Sequence, residues 1–162
     1  MEKIKMTNAL KVIEIAKKEV GTVESPPNSN LNKYGKHFGI NGVAWCALFC
    51  SWCIIQIGLG LPQINLAYCP AWVEWFKSKG HYFDKNTIPK PGDFVFFAFS
   101  KEGISKGWAE HIGIVEKVNA DGSITTLEGN TSNTQSQDNG GMVLRKIRNK
   151  TFITGYGRPF YK

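Results

Sequence analysis

Apolar residues recur at helical spacing in the first half of the chain and at strand-like spacing in the second. Leu10, Ile13, Ala16 and Val20 fall on one face of a helix that Thr7 or Asn8 caps and Gly21 stops. Glu24 to Gly42 is rich in Pro, Asn, Ser and Gly and reads as one long loop. Trp45 to Ile57 is apolar nearly all round, the pattern of a buried central helix, and Gly58 and Gly60 end it. Pro70 begins a third helix bearing Trp72, Trp75 and Phe76, closed at Gly80.

The period then changes. Pro89-Lys90-Pro91-Gly92-Asp93 is turn material before the strand-like run Phe94 to Phe99, and Ser100 to Trp108 reads as a loop. His111 to Val118 and Ser123 to Asn130 flank Asn119-Ala120-Asp121-Gly122, a hairpin signal. Thr131 to Gly141 is polar and reads as a mobile loop, and Met142 to Ile147 and Ile153 to Tyr156 supply further strands. Helices first and strands after predict an α+β fold, N-terminal helices packed on an antiparallel sheet. No repeat or linker divides the chain, so residues 1–162 read as one domain.

A four-residue loop at Asn119–Gly122 pairs His111 with Asn130 and Gly113 with Glu128. Opposed residues share a sheet face, as do residues two apart on one strand. His111, Glu128 and Asn130 are then expected on one face, and Gly113 leaves room for Glu128 to lean toward His111. A bulge would break that parity.

The bulk numbers narrow the function classes. Hydrophobic residues make up 42%, aromatics 12% and charged residues 20%, a globular composition. The formal charge of +7 suits an anionic partner or a basic solvated surface. Aromatic and basic residues do not interleave as in nucleic-acid binders, so nucleic acid is not an expected partner. Residues 1–20 are interrupted by Lys3, Lys5, Lys11, Lys17 and Lys18, unlike a secretory signal, and no apolar run reaches membrane-span length. The expectation is a protein made in a cytoplasm, or the mature part of a longer precursor, with no membrane insertion.

Cys46, Cys50 and Cys53 fall at i, i+4 and i+7, on one helix face. Cysteines one turn apart are poor disulfide partners, and one C-x2-C inside a helix is a poor zinc knuckle. Cys50, Cys53 and Cys69 read as small buried hydrophobes. Cys46 differs because it opens its helix, where unpaired N–H groups and the helix dipole favour a thiolate. Its backbone N–H is also a donor to an oxyanion. Cys46, His111 and the Glu128/Asn130 pair supply a nucleophile, a base and an orienting group, the parts of a thiol acyl-transfer centre.

The ordered segments W-C-A-L-F-C-S-W, P-G-D-F-V-F-F, H-I-G-I-V-E and L-E-G-N-T resemble the CHAP family, the cysteine- and histidine-dependent amidohydrolases and peptidases of peptidoglycan. The resemblance runs from E-V-G-T-V-E-S-P-P-N-S-N to G-Y-G-R-P. It implies a papain-like fold, Cys46 as nucleophile, His111 as general base, Glu128 as its orienter, and Asn130 supporting the imidazole or the oxyanion. It further implies a bacterial-wall amidase or endopeptidase like a phage endolysin's catalytic domain, made in the host cytoplasm and reaching the wall after release. Its partners would be peptidoglycan and anionic wall polymers, with a wall-binding domain separate or missing. Related NlpC-type peptidases carry a second histidine at the third position, and this chain offers none there. Some relatives bind calcium before the nucleophile, where this chain has Asn28, Asn30 and Asn32 and few acids; no metal or cofactor is expected.

Trp45, Trp108 and Tyr34 are the substrate-binding candidates: the two indoles flank the centre, with core packing as the alternative, and Tyr34 is a candidate oxyanion donor. His37 and His81 read as incidental, Asp93 as a turn stabiliser, and Glu110 as supporting or solvated on the opposite strand face. Two other classes stay open: a non-catalytic wall-binding module on the same fold, and a zinc-stabilised domain that chelators would unfold.

Overall fold

The computed structural model describes residues 5–134 and 139–162. Helices α1 (Asn8–Lys18), α2 (Lys33–Phe38), α3 (Cys46–Gln56) and α4 (Cys69–Ser78) precede strand β1 (Tyr82–Asp84). Strand β2 (Phe94–Phe97), helix α5 (Lys101–Lys106), and strands β3 (His111–Val118), β4 (Ile124–Thr131), β5 (Met142–Arg148) and β6 (Ile153–Gly157) complete the chain. All strand pairs are antiparallel, in the order β1-β6-β2-β3-β4-β5. The α+β expectation holds.

Short elements with little apolar content escape the sequence reading. Helix α2 lies inside the expected Glu24–Gly42 loop, held by an Asn32 cap and a left-handed Gly39. Helix α5 lies inside Ser100–Trp108, capped by Ser100 and closed by Gly107. The first helix is capped by Thr7 as expected, but its buried face is Val12, Ile13 and Ala16, while Leu10 and Val20 are exposed. The Thr131–Gly141 expectation falls partly on residues 135–138, outside the described residues.

Alternation along the sheet separates two apolar layers. Phe94, Phe96, Ile112, Ile114 and Leu127 pack with the helices, around a wholly buried stretch of α3. Val95, Phe97, Val115, Ile124, Ile153 and Tyr156 form a smaller cluster with the opposite parity.

The hairpin reaches the expected register by two offsets that cancel. Val118 pairs with Ile124, so the connection is one residue longer than a four-residue loop. The register then shifts between Val115 and Lys117, a bulge at Glu116, and Val115 pairs with Thr126 and Ile114 with Leu127. Gly113 thus lies beside Glu128, where an added Cβ would come within 2.7 Å of Glu128 Cγ.

Candidate active site

Three of the five helices have a side chain capping their first turn: Thr7 for α1, Asn32 for α2 and Ser100 for α5. The other two, α3 and α4, have none, and both begin with a cysteine. The first N–H groups of such a helix have no intrahelical acceptor, and their partial positive charge favours an anion beside them. Cys46 exploits this, because the Ala47 N–H favours the ionised sulfur.

His111 begins β3 and is wholly buried. Its Nε2 lies 2.8 Å from Glu128 Oε1. The Nδ1 atom has no hydrogen-bond partner among the described residues, and Cys46 is near enough to bias the protonation of the ring. Phe97 and Phe99 lie against the imidazole, with ring centroids 5.7 and 6.0 Å away.

Behind Glu128 stands a residue that sequence reasoning missed. Arg148, the last residue of β5, donates from Nε to Glu128 Oε2 at 2.9 Å and from Nη2 to Oε1 at 2.6 Å. Its guanidinium carbon lies 4.7 Å from the Phe97 ring centroid, and both charged side chains are buried. Thr126 adds a hydroxyl bond to Oε2 at 2.5 Å. Glu128 is therefore gripped through both oxygens.

A second missed residue is Cys69. Its sulfur sits 3.6 Å from that of Cys46, so it is more than a small hydrophobe in the core. The signal available in the sequence was its place immediately before the helix-opening Pro70.

These contacts set the charge states. For Cys46 the hydrogen bond with Cys69 is the largest influence; with the nearby His111 and the Ala47 N–H it outweighs burial and holds the thiol well below its ordinary range. Burial alone would depress His111, but the neighbouring Cys46 and the bond to Glu128 raise it to about 9. Burial pushes the Glu128 carboxyl up, yet Arg148 and His111 together drive it far below the carboxylate range. Cys50 and Cys53 go the other way, pushed well up by burial. The arrangement favours a thiolate, an imidazolium and a carboxylate in line.

Asn130 departs from expectation. Its φ of 52° is left-handed within β4, where the β4–β5 register also shifts. Its Oδ1 accepts from the Gly141 N–H at 3.1 Å, and its buried Nδ2 has no partner among the described residues. The structure does not bring it onto the imidazole. The shared-face argument fails there because a left-handed residue ends the alternation.

Tyr34 and Trp45 are also corrected. Both are wholly buried, and their rings stack at 5.6 Å. The Tyr34 hydroxyl donates to Glu19 Oε1 at 2.9 Å, which commits it to the α1 side of the core. Neither lines a groove. Trp108 is 45% exposed and borders a cavity of about 140 Å³ with Pro70, Val73, Glu74, Lys77 and Ala109. Pro70 adjoins Cys69 and Ala109 lies two before His111 in the chain, but neither Cys46 nor His111 is among the residues lining this cavity. A larger apolar cavity near Trp72, Trp75 and Phe160 borders neither Cys46 nor His111.

The remaining candidates act structurally. Asp93 accepts the Lys90 N–H in its turn and pairs with both donor groups of Arg158. Glu110 accepts the N–H groups of Phe99 and Ser100, pinning the chain before α5. His81 Nδ1 contacts the Arg158 carbonyl at 2.8 Å. Among the described residues, no group of three or more His, Cys, Asp or Glu is placed to hold a metal, and no helix is long and apolar enough to cross a membrane.

Comparison with known proteins agrees with this fold. The family model described as CHAP domain matches residues 38–130. The structure of Ly7917 superposes with a TM-score of 0.55 at 16% identity, over 94% of this chain and 62% of Ly7917. Ly7917 has also been solved with the hydrolyzing product of MDP. The P60 domain of antigen MAP1204 from M. avium subspecies paratuberculosis gives 0.55 at 14% identity, over 96% of each chain. The endolysin LysIME-EF1 gives 0.54 at 15% identity, over 97% of this chain and 66% of its own. These likenesses establish the fold. The chain therefore spans under two thirds of the length of Ly7917 and LysIME-EF1. No curated protein sequence matches it.

Proposed function

The chain belongs to the CHAP domain family, and on that premise we propose that its residues 1–162 form one catalytic domain that hydrolyses an amide bond of bacterial peptidoglycan. The observation that carries this reading is His111, buried, bonded to Glu128 through Nε2 and close enough to Cys46 for each to favour the other's charged form. A structural histidine needs no low-pKa thiol beside it.

The Cys46 thiolate attacks the amide carbonyl carbon, and the carbonyl oxygen becomes an oxyanion beside the open N-terminus of α3. The Cys46 N–H is its nearest candidate donor. The C–N bond then breaks as the His111 imidazolium gives its proton to the departing amine, leaving a thioester on Cys46. His111, now neutral, takes a proton from water, whose oxygen attacks the thioester carbonyl. The acid leaves, and the thiolate and imidazolium are restored. Glu128, fixed by Arg148, keeps the ring in one orientation and stabilises its charge.

The substrate occupies the cavity bordered by Trp108 and Pro70, where an exposed indole and Lys77 offer a stacking face and a cation. The amide cut is either the N-acetylmuramoyl-L-alanine bond or a bond within the stem or cross-bridge peptides. Mass spectrometry of fragments released from purified Gram-positive walls tests the reading. New amine and acid termini are expected with the protein and none with Cys46→Ala; intact walls after prolonged treatment with the active protein overturn it.

A further inference from the structure

The thiol pair holds more than one nucleophile requires. Cys69 opens α4 as Cys46 opens α3, and the two uncapped helix starts bring their sulfurs to 3.6 Å. Both thiols are buried, and Cys46 is the partner of Cys69's only side-chain hydrogen bond among the described residues. The titratable groups around Cys46 are Cys69 from α4, His111 from β3 with Glu128 and Arg148 behind it, and Cys50 one turn along α3. Of these, only Cys69 lies within hydrogen-bond distance of the reacting sulfur.

We propose that Cys69 is a positioning residue for the nucleophile: its S–H donates to the Cys46 sulfur, stabilising the thiolate and holding it in the rotamer that meets His111. The proposal rests on Cys46 being the nucleophile of the proposed reaction. The direction of the bond follows from the surroundings. Cys46 has an imidazole to take its proton and an Ala47 N–H to receive its charge, whereas Cys69 has no base other than Cys46. The proton therefore stays on Cys69. In agreement, Cys46 ionises more readily than an ordinary thiol and Cys69 less readily, each chiefly through the other.

The test measures the rate of Cys46 alkylation by iodoacetamide against pH, under reducing conditions, with the modified peptide identified by mass spectrometry. Cys50 and Cys53 are held neutral by burial and are separated by peptide. Cys69→Ala is expected to move the Cys46 midpoint up by about one pH unit, a roughly tenfold loss of thiolate below the midpoint. Cys69→Ser keeps a donor and is expected to return most of that shift. A purely structural Cys69 would alter thermal stability and leave the midpoint in place. Wild-type midpoints in both variants overturn the proposal, as do equal upward shifts in both, which would trace the effect to lost packing. Circular dichroism verifies that the variants fold, and Cys69→Val, which fills the site without a donor, takes the place of the alanine variant if that variant does not fold. Alkylation reads ionisation whether or not walls are cut, so wall lysis by Cys46→Ala would sink the catalytic reading and leave this result standing.

Discussion

Arg148 and Glu128 form a doubly bonded ion pair, at 2.6 and 2.9 Å, sealed in the interior directly behind His111. Breaking such a pair strands a charge in low dielectric, which costs about 3–5 kcal/mol. The Arg145–Glu116 pair has nearly the same distances, but Arg145 is half exposed, and pairs of that kind are worth roughly 1 kcal/mol or less. Arg148→Met should therefore lower the melting temperature far more than Arg145→Met. Equal shifts by differential scanning calorimetry would show that the buried pair is not the anchor described.

Cys46→Ala and Cys46→Ser should each abolish wall lysis and leave the circular dichroism spectrum unchanged. The first removes the nucleophile; the second replaces a ready thiolate with a hydroxyl that His111 must deprotonate. Cys50→Ala and Cys53→Ala should instead reduce stability by about 1–3 kcal/mol, as truncations in the buried face of α3, with little effect on turnover per folded molecule. Lysis of walls by Cys46→Ala would refute the assignment.

What could be read from the sequence was whatever carries a strong period. The largely buried helix α3 and strand β3 fall where the apolar pattern puts them. Helices α2 and α5, six residues each, depend on caps and glycines rather than an apolar face, and so looked like loop. The His111–Glu128 contact was legible from hairpin parity, even though the loop length was off by one residue and the Glu116 bulge offset it. Arg148 and Cys69 were not legible, because their partners lie far along the chain: Glu128 is 20 residues from Arg148, and Cys46 is 23 from Cys69. Nothing local at Arg148 distinguishes it from the basic residues around it. Tyr34 and Trp45 were misread because an amphipathic aromatic serves a core as readily as a groove.

The pH profile follows from the signs of the shifts. The reactive form needs Cys46 ionised and His111 protonated. Cys46 is lowered, so the acidic limb should lie well below an ordinary thiol's range. His111 is raised to about 9, so activity should persist above neutrality and fall as pH rises through about 9. Stability follows the same groups. The contribution of the charged imidazole is complete below the unfolded value of about 6.5 and is lost as pH rises through about 9. Glu128 is lowered, so its contribution is complete above about 4.3 and is lost as pH falls below that. A wall-lysis profile that declines through pH 6–7 would contradict a thiolate–imidazolium pair.

Chelation should leave lysis intact. Glu24 is the only carboxylate between Gly21 and Gly42, and its Oε2 accepts the Asn30 N–H at 2.6 Å. A single carboxylate already engaged with backbone is a poor start for a calcium site. Turbidity clearing should match with and without EDTA. Loss on chelation with recovery in Ca²⁺ would mean that this segment gathers an ion.

Glu128 and Asn130 should separate cleanly by substitution. Glu128 bonds His111 and carries the charge that stabilises the imidazolium, so Glu128→Gln should cut turnover by roughly tenfold or more. It should also lower the basic limb of the pH–rate profile, because His111 loses an anion that raises its pKa. Asn130 bonds Gly141 instead and holds a φ of 52°, which most side chains adopt only at a cost of about 1–2 kcal/mol. Asn130→Ala should accordingly lower stability while moving the pH limb little. Asn130→Gly keeps the left-handed backbone and loses only the amide, so it should retain more stability than Asn130→Ala. If Asn130→Gly folds normally yet turns over as slowly as Glu128→Gln, the amide acts in the reaction itself, with its unpaired Nδ2 the donor to examine.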